Sequence, residues 1–277
     1  VVRALDPNGD SAAEPAVIAP RVIADGDLPE QTLEDFDCVF LLNVAQLTAS
    51  ETRQLVRYVE QGGGLVAFLG DRVLADRYNA ANAAEETGTP LLPARLGDVV
   101  ESNTFGLDPL DYRHPIVAPF RGRERAGLLT TPVAHYFQLQ PHDDARAAVT
   151  TPSGDPLIVT GILGKGRAVL VGTAASIASV DSASGKPWTA MPTWPSFLPL
   201  VREMLAFATR GARLEIPHVG QPLGGLLRPG TTTSAVTVIR PDGVTDTAGV
   251  ETSLDGDIWN YERANRSGIY RFQLPHE

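Results

Sequence analysis

Apolar and polar positions in the first three-quarters of the chain alternate between two patterns. Phe36–Val44 (FDCVFLLNV) and Leu65–Leu69 (LVAFL) are nearly continuous apolar runs, as expected for strands buried on both faces. Between them Leu55, Val56 and Val59 recur at helical spacing. Thr48 followed by Glu51 has the spacing of a capping box, with Ser50 as the alternative cap. Gly62-Gly63-Gly64 ends the helix, because glycine takes the left-handed C-terminal conformation without a Cβ clash. Strand, capped helix, glycine turn and strand predict a right-handed βαβ unit with parallel strands.

The same reading extends along the chain. Ala16–Ala24 predicts a first strand, and Ala-rich Arg72–Glu86 is partly helical. Residues 87–130 are dense in Pro, Gly and charge and read as loops with short strands. Val133–Gln140, Ala145–Thr150 and Pro156–Gly161 predict successive short strands. Gly164-Lys165-Gly166 is a tight turn into Arg167–Gly172 (RAVLVG), again a buried strand. Phe197, Leu200, Val201, Met204, Leu205 and Ala208 mark a helix within Trp194–Thr209. After Gly211 the helical period disappears. Arg213–Pro217, Ser234–Arg240 and Gly268–Leu274 read as short strands, with turns at Pro241-Asp242-Gly243 and Asp255-Gly256. Gly268-Ile269-Tyr270 resembles a tyrosine corner. Two domains result. Residues 1–211 form an α/β domain, a three-layer, mostly parallel, flavodoxin-like sheet with some antiparallel strands appended. Residues 212–277 form a small β-sandwich of Ig type, shorter than the roughly 100 residues of a complete one.

Composition narrows the function classes. The 277 residues are 43% apolar, enough for a core in each domain. Lys and Arg total 23 against 33 Asp and Glu, a net charge of −10, the reverse of a nucleic-acid footprint. The single cysteine, Cys38, excludes an intrachain disulfide and a cysteine-rich zinc site. His114, His135, His142, His218 and His276 lack H-x-x-x-H spacing, so neither a metal nor a cofactor is expected. No run of 18 apolar residues exists, so nothing in this segment is expected to span a membrane, and no direct membrane contact by it is expected. A start at Val1-Val2-Arg3 and an end just after a strand-like run read as a piece of a longer protein.

Candidate chemistry gathers at the carboxyl ends of the predicted strands, where α/β folds place ligands. Asp71 follows Gly70 there, Arg72 is adjacent, and Asn43 ends the neighbouring strand. Ser176 lies just past the strand at 167–172. Asn43, Gly70, Asp71, Arg72 and Ser176 are therefore the candidate ligand-binding residues. The plainer reading makes Asp71 the N-cap of the next helix and Ser176 a helix cap or loop bond. Asp108, Asp111 and His114 lie in a Pro-rich loop, where a solvated loop outweighs a metal cluster. Glu85-Glu86 and His142-Asp143-Asp144 read as solvated. Trp188 and Trp194 read as packing residues beside the last helix. Trp259 and Tyr261 share one strand face, either as core or as a carbohydrate platform.

Tyr58–Asp71 (YVEQGGGLVAFLGD) resembles the helix-GGG-strand segment of class I glutamine amidotransferase-like domains, including the trehalose-utilisation-like branch. The resemblance spans roughly 16–209 and is strongest over 36–71 and 164–176. Similar segments occur in large bacterial membrane proteins, between a von Willebrand factor A domain and a small β-module. It implies an extracytoplasmic (periplasmic) part of a membrane-anchored protein. Its partners would be other domains or subunits of a membrane-associated assembly. A catalytic amidotransferase needs a Cys at a strand-to-helix elbow and a His to activate it. Here the elbow reads Leu69-Gly70-Asp71-Arg72, without Cys or Ser, and Cys38 sits in the preceding strand. The expectation is a non-catalytic amidotransferase-like domain serving as an interaction or scaffold part. The alternative is a hydrolase or small-molecule-binding enzyme using an Asn43/Gly70/Asp71 cleft. An enzyme leaves a pocket over Gly70-Asp71, whereas a scaffold fills that edge with side chains or loops.

Overall fold

The computed structural model describes residues 1–6, 18–82, 90–102, 106–123, 126–210, 219–226, 235–253 and 256–273. They fall into two units, Val1–Arg213 and Leu214–Glu277. In chain order the first unit contains helix α1 (Val2–Leu5), strand β1 (Cys38–Leu42), α2 (Ala49–Glu60), β2 (Gly64–Phe68) and α3 (Ala75–Asn82). Strands β3 (Ala94–Glu101), β4 (His135–Pro141), β5 (Arg146–Thr150), β6 (Pro156–Leu163) and β7 (Gly166–Val171) follow, then α4 (Phe197–Thr209).

Helix α2 begins where its sequence directs it to. The Thr48 hydroxyl accepts from Glu51 N at 3.3 Å, and the Glu51 carboxylate accepts from Thr48 N at 2.7 Å, completing the capping box. It ends in a Schellman motif: Gly63 N donates to Tyr58 O at 3.0 Å and Gly62 N to Val59 O at 2.9 Å. Gly62 carries φ 124°, a value that penalises any Cβ. A Cβ on Gly63 would enter the Tyr58 ring, whose hydroxyl donates to Phe36 O at 2.9 Å. A Cβ on Gly166 would run into the carbonyls of Val59 and Gly63. The end of α2 and the starts of β2 and β7 therefore touch backbone to backbone.

The main sheet has the order β1-β2-β7-β6-β5. Strands β1, β2 and β7 are mutually parallel, while β6 and β5 are antiparallel to their neighbours. The expected mostly parallel sheet is thus half right. The turn at Gly164-Lys165 joins β6 to β7, and so short a connection permits only antiparallel pairing. Strand β3 lies in the segment read as loops with short strands, where its bounds were not assigned. It pairs with β4 as a separate two-stranded antiparallel sheet, with a register shift between Leu96 and Val99. No strand forms over residues 18–24, which corrects the first-strand expectation for Ala16–Ala24. Pro20 lacks the N–H that a ladder needs, and Arg21, Val22 and Ile23 are exposed. The remainder of that strand and Glu85-Glu86 lie outside the described residues.

Buried side chains separate into two cores, one on each face of the main sheet. Leu65 and Ala67 of β2 join Leu55, Val56 and Val59 of α2, together with Leu96, Phe137 and Leu139 of the small sheet. Val66 and Phe68 point the other way, onto Leu200, Val201 and Met204 of α4 and Leu5 of α1. This is the three-layer arrangement.

The second core holds a buried histidine. His114 Nδ1 accepts from Ile116 N at 3.2 Å, so Nε2 carries the proton and donates to the Thr160 hydroxyl at 3.0 Å. Burial, with the positive charges of Arg167 and Arg210 nearby, lowers the His114 pKa from 6.5 to about 4. Its ring packs 5.0 Å from that of Phe207.

The second unit contains β8 (Leu223–Leu226), β9 (Ala235–Ile239), β10 (Thr245–Ser253), β11 (Gly256–Tyr261) and β12 (Arg271–Gln273). They form one antiparallel sheet of order β12-β9-β10-β11-β8. The second layer that a sandwich requires is not among the described residues, and neither are Arg213–Pro217 and His218. Tyr261 is buried with Val236, Val238 and Ala248, and Trp259 stacks on Phe272 with ring centroids 4.1 Å apart. That places both aromatics in packing rather than on a carbohydrate platform. The Tyr270 hydroxyl donates to Arg266 O at 3.1 Å and accepts from Arg266 N at 3.2 Å, the bonding of a tyrosine corner.

Two outcomes follow. Gly166→Ala should lower the unfolding free energy by about 3 kcal/mol in urea titration, because backbone has to move. Gly26→Ala, where an added Cβ meets nothing within 4 Å, should change it by less than about 0.5 kcal/mol. The depressed His114 pKa means that the unfolded chain takes up a proton first as pH falls from about 6.5 to about 4. Stability present above pH 6.5 is lost across that window, by up to about 3 kcal/mol. The drop between pH 7 and pH 4 should shrink by that amount in His114→Gln.

Candidate functional site

Asn43 organises the carboxyl end of β1 and β2. Its N–H donates to Phe68 O at 2.9 Å, extending the ladder by one residue. The chain then turns left-handed at φ 53°, a conformation that Asn tolerates better than most residues. This aims the carboxamide across the neighbouring strand end. Nδ2 donates to Asp71 Oδ1 at 2.9 Å and to Ser179 Oγ at 3.2 Å, while Oδ1 accepts from Arg72 N at 3.1 Å. Both carboxamide hydrogens are committed.

Gly70 is the floor of this arrangement. A Cβ there would stand 2.6 Å from the Asn43 carboxamide carbon and oxygen. Leu69 N donates to Val171 O at 3.0 Å, so β2 stays in register with β7 up to the turn. Arg72 reaches Asp25, Nη2 to Oδ2 at 3.3 Å, with both side chains about half exposed. The pair contributes little to stability at that exposure.

Four of the five sequence candidates, Asn43, Gly70, Asp71 and Arg72, thus come together. Ser176 does not join them. It is exposed, and its hydroxyl accepts from Ala178 N at 3.1 Å, a local turn bond. Buried Ser179 occupies the place expected for a hydroxyl in the cluster. Nothing in the sequence around Ser179 marks it. Asp71 is exposed and does not cap α3, which begins at Ala75.

Nucleophile and base chemistry is not assembled at this edge among the described residues. Cys38 lies at the opposite end of β1, half-buried, its thiol pushed well above the usual range by burial and by the Asp37 charge. His135 is buried beside Trp188, ring centroids 6.0 Å apart, and its Nδ1 meets no hydrogen-bond partner. His114 does meet a hydroxyl, that of Thr160, in mid-sheet. There the imidazole is the donor, and the Thr160 proton points to Arg146 O at 3.4 Å. That polarity is opposite to general-base activation. Asp111 pairs with Arg113 at 2.9 Å, and both His114 nitrogens are used. No group of three or more His, Cys, Asp or Glu able to hold a metal occurs among the described residues.

A cavity of about 400 Å³ is lined by Asp76, Asn79, Asn82, Arg95 and His142. Its two asparagines are structural clamps. Asn79 bonds both N and O of Leu96 at 2.9 and 2.7 Å, and Asn82 both N and O of Leu92 at 2.7 and 3.3 Å. His142 contacts Asn82 at 3.4 Å. A second groove of about 1400 Å³ runs beside β1, with Arg72 at one end, and is not over Gly70-Asp71.

No protein-family model matches the chain. No curated protein matches it either. Similar solved structures include the cytoplasmic protein STM3548 of Salmonella typhimurium, at 19% identity and TM-score 0.46, over 69% of this chain and 76% of that one. The cytoplasmic protein STM1381 of Salmonella typhimurium LT2 is similar at 17% identity and TM-score 0.47, over 63% of this chain and 73% of that one. A Bacteroides uniformis protein described as ThuA-like is similar at 15% identity and TM-score 0.39, over 62% of this chain and 70% of that one. These likenesses carry no assignment of activity. Two of the three are named as cytoplasmic proteins, which corrects the extracytoplasmic, membrane-anchored setting expected from the sequence. Among the described residues no helix is long and apolar enough to cross a membrane.

Proposed function

We propose that the first unit is an amidotransferase-like α/β domain that works without amidotransferase chemistry, as an interaction or scaffold part alongside other domains or subunits. One observation carries this reading. The Asn43 carboxamide fills the strand end where a ligand would sit, bonded to Asp71, Ser179 and Arg72 N. A side chain with both its hydrogens committed is a structural tie, and displacing it exposes polar groups that then need new partners. The elbow sequence Leu69-Gly70-Asp71-Arg72 supports the same reading, since it offers no nucleophile. A net charge of −10 argues against nucleic acid as the partner.

The alternative, a hydrolase using Asn43, Gly70 and Asp71, requires the same groups to be free to act. The two readings separate in one set of assays. Purified protein should hydrolyse neither glutamine nor p-nitrophenyl acetate above the buffer rate, and Asn43→Ala should gain no activity. Asn43→Ala should instead lose about 1–2 kcal/mol of unfolding free energy, from the three hydrogen bonds removed. Turnover by the wild-type protein that disappears in Asp71→Asn or Ser179→Ala would overturn the proposal and establish the enzyme.

A further inference from the structure

The amino end of β7 carries an arginine on the face of the sheet that α4 covers. Val169 and Val171 belong to the core on the α4 side, Ala168 and Leu170 to the core on the α2 side, so alternation turns Arg167 toward α4. Its register partners are Gly64 on β2 and Ile162 on β6. A Cβ on Gly64 would stand 3.0 Å from Ala208, so its absence lets the last turn of α4 close onto the starts of β2 and β7. The Arg167 guanidinium carbon lies 4.9 Å from the centroid of the Phe207 ring, and Nη1 donates to Phe207 O at 3.4 Å.

A second arginine joins it from the helix. Arg210 is the C-cap of α4 and keeps helical angles, φ −61° and ψ −19°. Three residues after Phe207, it lies on the same helix face. Both positive charges act on His114, whose ring packs against Phe207 within the core. Burial first, and the Arg210 charge second, lower the Arg167 pKa from its ordinary value. Neither Arg167 nor Arg210 forms an ion pair among the described residues.

The helix end offsets only part of this charge. A helix C-terminus is equivalent to about half a negative unit, against two full positive charges. The bond to Phe207 O uses one of the five Arg167 N–H donors, and the others meet no acceptor among the described residues. Two guanidiniums of like sign, one of them half-buried, are complemented best by a single anion of charge near two. A phosphate group carries about that charge near neutral pH, and its oxygens match the guanidinium fork. Beside Arg167, Ile162 is 54% exposed and offers an apolar surface to an organic substituent.

We propose that Arg167 and Arg210 form a binding site for a phosphate dianion, carried either as the inorganic ion or on a small phosphomonoester. Arg167, held against Phe207, supplies the fixed fork, and exposed Arg210 supplies the second charge from the solvent side. The site stands at the end of β7 opposite the Asn43 cluster and does not rest on the scaffold reading. Turnover at the Asn43 edge would overturn that reading without touching this site.

The probes are inorganic phosphate and phenyl phosphate, titrated into the 277-residue protein at constant ionic strength and followed by NMR of the arginine Nε–H groups. Shifts at Arg167 and Arg210 that saturate below about 10 mM are expected. Arg167→Gln and Arg210→Gln should each weaken binding at least about tenfold, since each removes a charge-assisted contact. Arg167→Lys keeps the charge but loses the fork and should weaken it about threefold. Arg210→Gln changes an exposed side chain, so it decides the matter if Arg167→Gln fails to fold. Arg77→Gln, exposed on α3, should bind like the parent. Tighter binding of phenyl phosphate assigns the site to a phosphomonoester, and equal affinities assign it to the free ion; both support the site. No saturation by about 10 mM would overturn the proposal. So would equal shifts from sodium chloride at matched ionic strength, or phosphate binding undiminished in both glutamine variants.

Discussion

The centre of the first unit, where α2 ends and β2 and β7 begin, is positioned by a backbone-to-backbone contact between two glycine turns. Gly62-Gly63-Gly64 closes α2 and starts β2, and Gly166 starts β7 directly against the Val59 and Gly63 carbonyls. No side chain fits between them. The contact fixes where β2 and β7 begin, and hydrogen-bond register then fixes where they end. Gly64 pairs with Arg167 at one end of the ladder and Phe68 with Val171 at the other. Because β2 alternates Leu65 and Ala67 toward α2 with Val66 and Phe68 toward α4, a one-residue slip would exchange the two cores. The turn chemistry and the apolar pattern therefore specify the same register.

That register brings two unlike surfaces to β1. At its carboxyl end the chain turns through Asn43, and the strand-end position that α/β proteins commonly give to ligands is bridged by a carboxamide. Along its outer edge three residues present backbone groups to an apolar groove. The first surface is satisfied within the chain, and the second has no strand partner among the described residues. A polar group tied into several internal hydrogen bonds is costly to recruit for chemistry, whereas an unpaired edge gains on meeting a strand.

The central strands and α2 were legible in the sequence because each is specified locally. Continuous apolar runs gave β1, β2 and β7, and Thr48, Glu51 and Gly62 bounded α2 from both ends. Short strands were expected in residues 87–130, but the position of β3 (ARLGDVVE) was not legible. The strand mixes charge with a glycine and carries a register irregularity, so neither alternation nor a continuous run survives. Strands β5 and β6 were found, and the glycines at 161–166 marked the hairpin turn that sets β6 antiparallel to β7. At the site, Asn43, Gly70, Asp71 and Arg72 follow from strand ends alone. Ser179 does not: it meets Asn43 across a separation of 136 residues, and no local pattern encodes such a contact. Ser176, three residues earlier, has the same composition around it and a purely local bond.

The account rests on β1 being sealed at one end and open along one side, and residue-resolved amide hydrogen exchange of the free protein measures both at once. Slow exchange is predicted at Val39, Leu41 and Asn43, whose amides pair with β2. Exchange at Cys38, Phe40 and Leu42 should be faster by orders of magnitude, giving an alternating pattern along one five-residue strand and the residue after it. Uniform protection along the strand would show that its outer edge is already paired, and fast exchange at Asn43 would show that the strand end is not sealed. Either result would contradict the account.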